Sequence, residues 1–491
     1  MDTTGDGITL MDLPDPCLLA VLRCCADDMC SLFSAARAHS RLQQAAVLVA
    51  NSIRAAVPEQ QQTDSALRYL SGDGELVHSI SLQGCLRTMR LHELPHNHLT
   101  NLFCLHLSDL PLQLQPGNGL LGVLSSALPI TELQLQRCSL LDGQECLAAA
   151  LALLPKLQHL SLVGIASRTG SPVSFPSSTL QLLQQLTYLE TTGQWLPDEL
   201  QPLHGLQGLT HLQDLRLHGL DNAHNIQKSM MSGLQMLTQF RVVGSAYDMC
   251  GFEPDVLAGK TRLQHLEVVN CCAAGGIAGV AQLLAHVAPM QLTYLCLRSS
   301  LHSPTRGGPL PPATAYSPLT GSSRLQYLDI SHCEVPEGVW AHVFHASMQL
   351  PHLQQLDISH LRHPYEDGYT DSECHVAMPE GSRLVSCCPG LQSLHLSGLS
   401  YSNALLEPLT GLSGLWELDL CAAAKRREGL DAVAQLTGLR ELRLYDLMVR
   451  TSADAAYAVE ATHEARLLLG FTIIRPGGLQ TPCQCAYDVH T

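Results

Sequence analysis

Histidine and cysteine are the first residues that invite a chemical reading, since the 491-residue chain carries 24 His and 19 Cys. Cys374-His375 with Cys387-Cys388, or Cys483-x-Cys485, could be drawn as ligand sets. Zinc sites are built on paired C-x-x-C or Cys/His finger spacings, and none of these groups has one. No metal and no cofactor is expected. No G-x-S-x-G elbow follows a strand-like segment, so a serine nucleophile has no local signal. The G-x-x-x-x-G-K-[ST] loop that cradles phosphates is absent as well. Lys425-Arg426-Arg427 is only three basic residues and reads as a solvated turn. Catalysis is therefore not expected, and the candidate function moves from a reactive centre to a surface.

Charge narrows the partners. Lys and Arg number 28 against 44 Asp and Glu, a formal charge of −16. An acidic chain is a poor binder of phosphates, which argues against nucleic acid and anionic membrane as partners. No stretch of about 18 apolar residues is present to span a bilayer. The start MDTTGDGITLMDLPD lacks the basic region of a secretory signal. The cysteine count is odd, and adjacent pairs occur at Cys24-Cys25, Cys271-Cys272 and Cys387-Cys388. The expectation is a cytoplasmic or nuclear protein whose thiols are reduced and buried.

The elements that would position a surface come from a repeat. CPGLQSLHLSGL, LSGLWELDL and LTGLRELRLYDL share the pattern L-x-x-L-x-L, with first anchors Leu391, Leu415 and Leu439 spaced by 24 residues. Earlier anchors are Val77, Leu102, Ile130, Leu157, Leu186, Leu212, Leu237, Leu263, Leu292, Leu325 and Leu353. A period in the twenties marks a solenoid, in which each unit buries its apolar edge only against its neighbours. The expected fold is α/β: a curved parallel sheet with a helical or irregular convex side. The longer steps contain His302–Ser323, which reads as a mobile loop rich in Pro, Gly and Ser, and a polar insert over Arg362–Arg383.

In this register positions 1, 4 and 6 point inward, and period-2 alternation sends positions 3, 5 and 7 to the opposite, concave face. The residues placed there with the chemistry to hold a protein substrate are Tyr188, Glu190, Asp214, Arg216, Arg241, His265, Glu267, Tyr294, Tyr327, Asp329 and Asp357. Tyrosine and arginine are frequent energetic anchors of protein interfaces.

The N-terminal stretch reads differently. Asp15 can cap a helix whose apolar face holds Leu18, Leu19, Val21 and Leu22. Asp27 can cap a second bearing Met29, Leu32 and Phe33, and Ser40 a third with Leu42, Ala46, Val49 and Ile53. Three short helices bury little alone, which leaves one face for a partner.

These residues carry two resemblances. Residues 77–450 resemble the leucine-rich-repeat superfamily in about fourteen copies. The place eight residues after the first anchor, often Asn in that superfamily, is Cys85, Cys138, Cys271 and Cys333 or mostly Leu, never Asn. That is similar to the cysteine-containing repeats found behind F-boxes. Residues 13–57 resemble an F-box through Leu13-Pro14, Leu18-Leu19, Val21-Leu22 and Asp28-Met29. The family's closing Val-Cys-Arg-x-x-Trp is here AARAHSRL, which keeps Arg37 and lacks the tryptophan.

The resemblance implies a substrate-recognition subunit of a cullin ubiquitin ligase. Leu13, Pro14, Leu18, Leu19, Val21, Leu22, Met29 and Leu32 would dock on a Skp-type adaptor and through it a cullin. The repeats would hold the protein substrate. The alternative is a non-catalytic scaffold, cytoskeletal or ciliary, whose N-terminal helices serve only as a cap. Residues 58–76 form a linker or first return segment, 451–480 a C-terminal cap with a short closing strand, and 481–491 a tail.

Overall fold

The computed structural model describes residues 13–24, 42, 52–57, 77–84, 99–112, 129–141, 144–167, 177–192, 206–220, 225–245, 249–302, 309–362, 376, 379–399, 406–421, 435–436, 438–445 and 472–473. They fall into two compact units, residues 1–216 and 217–491, and the division lies within the strand Asp214–Leu220.

The first unit is a solenoid of leucine-rich turns. Its strands Ser52–Val57, Ser79–Gly84, Cys104–Ser108, Glu132–Gln136, His159–Val163 and Tyr188–Thr192 pair in chain order, all parallel. Leu102, Leu105 and Leu107 of one repeat and Leu157, Leu160 and Leu162 of another are buried, as positions 1, 4 and 6 demand. A fully buried leucine contributes about 2 kcal/mol, so a three-leucine rung is stable only when its neighbours cover it.

The second unit repeats the plan. Gln239–Gly244, His265–Val269, Tyr294–Cys296, Tyr327–Asp329, Gln355–Asp357, Ser393–His395, Glu417–Cys421, Glu441–Tyr445 and Thr472–Ile473 form successive parallel pairs. The closing strand read from FTIIRPGGLQ is the last of these. Return segments are mixed, as expected: α-helices at Ile277–Val287 and Gly381–Cys387, and 3-10 turns at Pro254–Leu257 and Glu407–Gly411.

Register is set by the backbone at position 2. Its carbonyl accepts the N–H of both positions 2 and 3 of the next repeat. Gln264 O takes Thr293 N at 2.8 Å and Tyr294 N at 3.1 Å, and Gln326 O takes Gln354 N at 2.8 Å and Gln355 N at 3.0 Å. Phe103 O does the same for Thr131 N and Glu132 N in the first unit. A slip by one residue would turn the leucines outward, so this forked bond and the buried rung enforce the same alignment.

Seven residues after the anchor the chain enters the left-handed region. Asp109, Arg137 and Gly164 do so in the first unit, and Gly219, Asn270, Ser299, His332, His360 and Gly398 hold the equivalent place from the boundary strand onward. Only glycine adopts that conformation freely. The non-glycine residues there are held by pairing of the segment beyond the turn. In the first unit the turn leads into a short second sheet, Pro111–Leu112, Ser139–Leu140 and Ala166–Ser167. In the second, Asn225–Ile226, Cys250–Phe252 and Cys271–Ala273 form its counterpart.

The next place, eight after the anchor, carries a donor in several repeats. The Cys138 thiol donates to Leu107 O at 3.4 Å and the Cys333 thiol to Leu297 O at 3.0 Å. Ser300 Oγ, in the same place, donates to Val268 O at 2.9 Å and accepts from Cys271 N at 3.2 Å. Each donor reaches the position-6 carbonyl of the preceding repeat, so thiol or hydroxyl ties one turn to the last. Burial pushes the Cys138 thiol up to about 11 and the Cys333 thiol up to about 12, which keeps both protonated and able to donate. Cys85 lies outside the described residues.

Three readings need correction. Ile53 was expected on a third helix, but it lies in the strand Ser52–Val57, which pairs with Ser79–Gly84. In register Ile53 and Ala55 stand opposite Ile80 and Leu82, too little leucine for the repeat pattern to register. Residues 313–320, expected within a mobile loop, form a 3-10 helix that buries Tyr316, Leu319 and Thr320. Leu18 and Leu22, expected to face an adaptor, are 0% and 2% exposed and so pack inside the chain. Of the three N-terminal helices Asp15–Cys24 is present. Met29, Leu32, the remainder of the second and third helices, and the cap over 451–470 lie outside the described residues.

Candidate interaction face

All eleven residues expected on the face of the sheet opposite the leucines occupy position 3 or 5 of their strands, and of them Glu267 and Asp329 are buried, at 8% and 3% exposed. In the first unit the position-3 row is Cys104, Glu132, His159 and Tyr188, and the position-5 row is Ser81, His106, Gln134, Ser161 and Glu190. Tyr188 OH donates to Glu190 Oε2 at 3.0 Å, and Ser161 Oγ donates to the same oxygen at 2.7 Å. Asp214 receives Arg216 through Nε at 3.2 Å and Nη2 at 2.9 Å, and the guanidinium sits 5.1 Å from the Tyr188 ring centre. The first unit's expected residues thus form one cluster in which Arg216 pairs with Asp214 and Glu190 accepts two hydroxyls.

The second unit brings together Arg241, His265, Glu267, Tyr294, Tyr327, Asp329 and Asp357. Its position-3 row runs Gln239, His265, Tyr294, Tyr327, Gln355, Ser393, Glu417, Glu441. Its position-5 row runs Arg241, Glu267, Cys296, Asp329, Asp357, His395, Asp419, Arg443. Parallel pairing in register stacks like on like. The His265 and Tyr294 rings lie 3.9 Å apart and 5° from parallel, and the Tyr294 and Tyr327 rings 4.2 Å apart and 3° from parallel. Burial pushes both tyrosine hydroxyls above their ordinary range, with nearby Cys296 and the acids adding to it.

At one end of the unit the charges are paired: Arg241 Nε lies 3.1 Å from Glu267 Oε1, and His265 Nε2 lies 3.7 Å from Glu267 Oε2. At the other, Arg443 meets Glu417 at 3.0 Å and Glu441 at 2.7 Å. Between them stand Asp329 and Asp357. Ser331 donates to Asp329 Oδ1 through N at 2.8 Å and Oγ at 2.6 Å, and Ser359 does the same for Asp357 Oδ1 at 3.0 and 2.5 Å. Asp329 Oδ2 accepts from Tyr327 OH at 3.4 Å and the Cys296 thiol at 3.5 Å. Among the described residues Asp329 has no cationic partner, while Asp357 Oδ2 has His395 Nδ1 at 3.6 Å.

These surroundings set the protonation states. Burial pushes the Asp329 carboxyl up and the neighbouring Asp357 charge pushes it further, against the Ser331 bonds. Burial opposes the Asp357 charge too, but bonds from His395 and Ser359 outweigh it and hold that carboxyl below its usual range. His395 loses solvation, yet Asp357, Glu417 and Asp419 surround it and raise its pKa. Burial raises Asp419 against the help of Ser397, whose hydroxyl donates to it.

The serines at position 7 were not singled out from the sequence. Their signal was the repeated D-x-S of Asp329-Ile330-Ser331 and Asp357-Ile358-Ser359, which local side-chain-to-backbone bonding favours. No group of three or more His, Cys, Asp or Glu with metal-holding geometry occurs among the described residues. Of the earlier ligand candidates, Cys387 and Cys388 are buried and unbridged, while Cys374, His375, Cys483 and Cys485 lie outside the described residues. Among the described residues no helix is long and apolar enough to cross a membrane.

On the N-terminal helix, Pro14 is exposed, Leu13 and Leu19 are half-buried, and Val21 is 39% exposed. Of the expected adaptor contacts in the described residues, these four are the ones that solvent reaches.

The chain matches no protein-family model and no curated protein. Among solved structures it is similar to an internalin (inlF) from Listeria monocytogenes str. 4b F2365, with 17% identity and a TM-score of 0.45, covering 84% of this chain and 94% of that one. It is also similar to the Drosophila Toll–Spatzle complex, with 14% identity and a TM-score of 0.45, covering 77% of this chain and 48% of that one.

Proposed function

We propose that the chain is a non-catalytic protein-recognition solenoid whose open sheet face holds a partner polypeptide. The observation that carries this reading is the alignment of tyrosine and charged side chains into rows on that face, with leucine confined to the other side. Such rows present a fixed pattern of anchors, and ordered aromatic side chains lose little entropy on binding. A photo-crosslinking residue in place of exposed Gln355 should give a partner adduct, and one in place of Ile277, on the helix Ile277–Val287 of the same unit, should not. The partner so identified, once purified, should lose binding to Tyr294→Ala and Tyr327→Ala variants. Equal adducts from both positions would sink the reading.

The finer reading is that of a receptor for a cullin ubiquitin ligase, in which Leu13, Pro14, Leu19 and Val21 dock on a Skp-type adaptor. It is supported by the F-box resemblance and by the partial exposure of those four side chains. The ligase's other subunits would do the chemistry, and tethering would raise the local concentration of the substrate's lysines. Val21→Asp in the full chain should abolish co-purification with the adaptor while leaving the melting profile intact. Leu18→Asp should instead destabilise the helix, because Leu18 is buried. If the wild-type chain fails to bind the adaptor, or Val21→Asp binds normally, the scaffold reading takes its place.

A further inference from the structure

The stacked row on the face of the second unit stops abruptly. His265, Tyr294 and Tyr327 follow one another ring on ring, and the next place in the row belongs to Gln355, whose side chain is exposed. Beside that break, in the adjacent row, stand Asp329 and Asp357 on the same two strands as Tyr327 and Gln355. The two acids are directly opposite one another. Glu417 and Glu441 also face each other, but they share Arg443, and Glu267 has Arg241. Asp329, by contrast, has no ion pair among the described residues; Arg298 acts on its charge without pairing with it, and His395 lies beside Asp357. Two carboxylates on neighbouring strands repel one another, the more so where burial lowers the effective dielectric. The end of an aromatic stack, followed by exposed Gln355, and two facing acids of which Asp329 has no ion pair among the described residues therefore meet at one point.

We propose that this point receives an arginine side chain of an extended partner polypeptide, its guanidinium continuing the ring stack over Tyr327 and its N–H groups turned to Asp357, with the buried Asp329 carboxyl, 3% exposed, beneath it. The inference rests on the reading of this face as the partner-binding surface and names the partner's chemistry. Charge complementarity selects the occupant. Guanidinium is planar, stacks on aromatic faces and carries enough donors to serve two carboxylates at once, which the compact ammonium of lysine does less well. It is also weakly hydrated, so it surrenders water readily beside a largely buried acid. Acidic or purely apolar segments would leave the acid pair repelling and short of a cation.

The test is selection of random twelve-residue peptides displayed on phage against the full-length chain, repeated with Tyr294→Ala/Tyr327→Ala and with Asp357→Asn. Peptides rich in arginine should be enriched on the wild type. Synthetic copies should bind at least tenfold more weakly when citrulline replaces the central arginine, and at least tenfold more weakly to Asp357→Asn. Their affinity for the wild type should also fall as salt rises, a readout that needs no variant. Circular dichroism melting confirms that each variant is folded. Enrichment of acidic or apolar peptides that need Tyr294 and Tyr327 would overturn the arginine assignment and leave the binding face standing. Failure to recover any peptide that distinguishes the tyrosine variant from the wild type would overturn both.

Discussion

Asp329 and Asp357 are register partners at the ends of adjacent parallel strands, and each is tied at Oδ1 to the serine two residues further along the chain. The serine bonds fix both carboxylates in place without neutralising them. The pair is thus held in an arrangement that weakens the fold locally.

Replacing Asp329 with Asn should stabilise the protein at neutral pH. The Asp329 carboxyl is raised, chiefly by burial, so the fold prefers it neutral. Its contribution is fully present below the unfolded value of about 3.9 and is lost as pH rises through the folded value. Asn keeps an acceptor for Ser331 and removes the charge. Relief of a repulsion worth about 1 kcal/mol should raise the melting midpoint by roughly 2–4 °C at pH 7. That gain should shrink as pH approaches 4. A lower midpoint for the variant at pH 7 would contradict the charge argument.

His395 should give its own pH signature, set nearer neutrality. Its pKa is raised in the fold because Asp357, Glu417 and Asp419 outweigh its burial. The stability it adds is fully present below its unfolded value of about 6.5 and is lost as pH rises through the folded value. Wild type should therefore lose more stability than His395→Gln between pH 6 and pH 8.5, read as the difference in urea midpoint at the two values. Parallel profiles for the two proteins would show that His395 does not respond to its acids.

Ser300→Ala should be costly for so small a change. It leaves the buried N–H of Cys271 and the carbonyl of Val268 without the hydroxyl that serves both. A buried group stripped of its partner costs about 1–3 kcal/mol, seen as a lower urea midpoint with an unchanged slope. Cys333→Ser should be better tolerated than Cys333→Ala, since a hydroxyl can still donate to Leu297 O.

Two glycines separate backbone strain from crowding. Gly338 and Gly398 have φ of 74° and 72°, but an added Cβ meets nothing within 4 Å at the first and lies 2.7 Å from His360 Nδ1 at the second. Gly338→Ala should lose about 1 kcal/mol for φ alone. Gly398→Ala should lose more, and the excess in chemical denaturation measures the contact with His360. Equal losses would mean that the His360 ring simply moves aside.

The two outward rows were legible because leucine at positions 1, 4 and 6 leaves no freedom about which way positions 3 and 5 point. Once Leu325, Leu328 and Ile330 face inward, Tyr327 and Asp329 must face out. What escaped the sequence depends on contacts between repeats. The left-handed turn is filled by Asp109, Arg137, Asn270, Ser299, His332 and His360 as well as by glycine, so no residue type marks it. Ser300 resembles any other serine until Val268 and Cys271 of the preceding repeat are in place. The burial of Leu18 and Leu22 was hidden for a related reason: an amphipathic helix announces an apolar face, not whether the chain itself or a partner covers it. The strand Ser52–Val57 was missed because Ala55 stands where the pattern calls for leucine, while the backbone still pairs with Ser79–Gly84.

The forked bonds from each position-2 carbonyl hold neighbouring strands at a constant pitch, about 4.8 Å in any sheet. An extended polypeptide laid across those strands offers same-side residues about every 6.7 Å. The two scales act as a vernier, coming within about 1 Å at the third and fourth strands and coinciding at roughly the seventh. A linear partner crossing the second unit would therefore meet its anchors in short bursts, each separated by rungs that it passes over, and lengthening such a partner would add affinity in steps rather than smoothly.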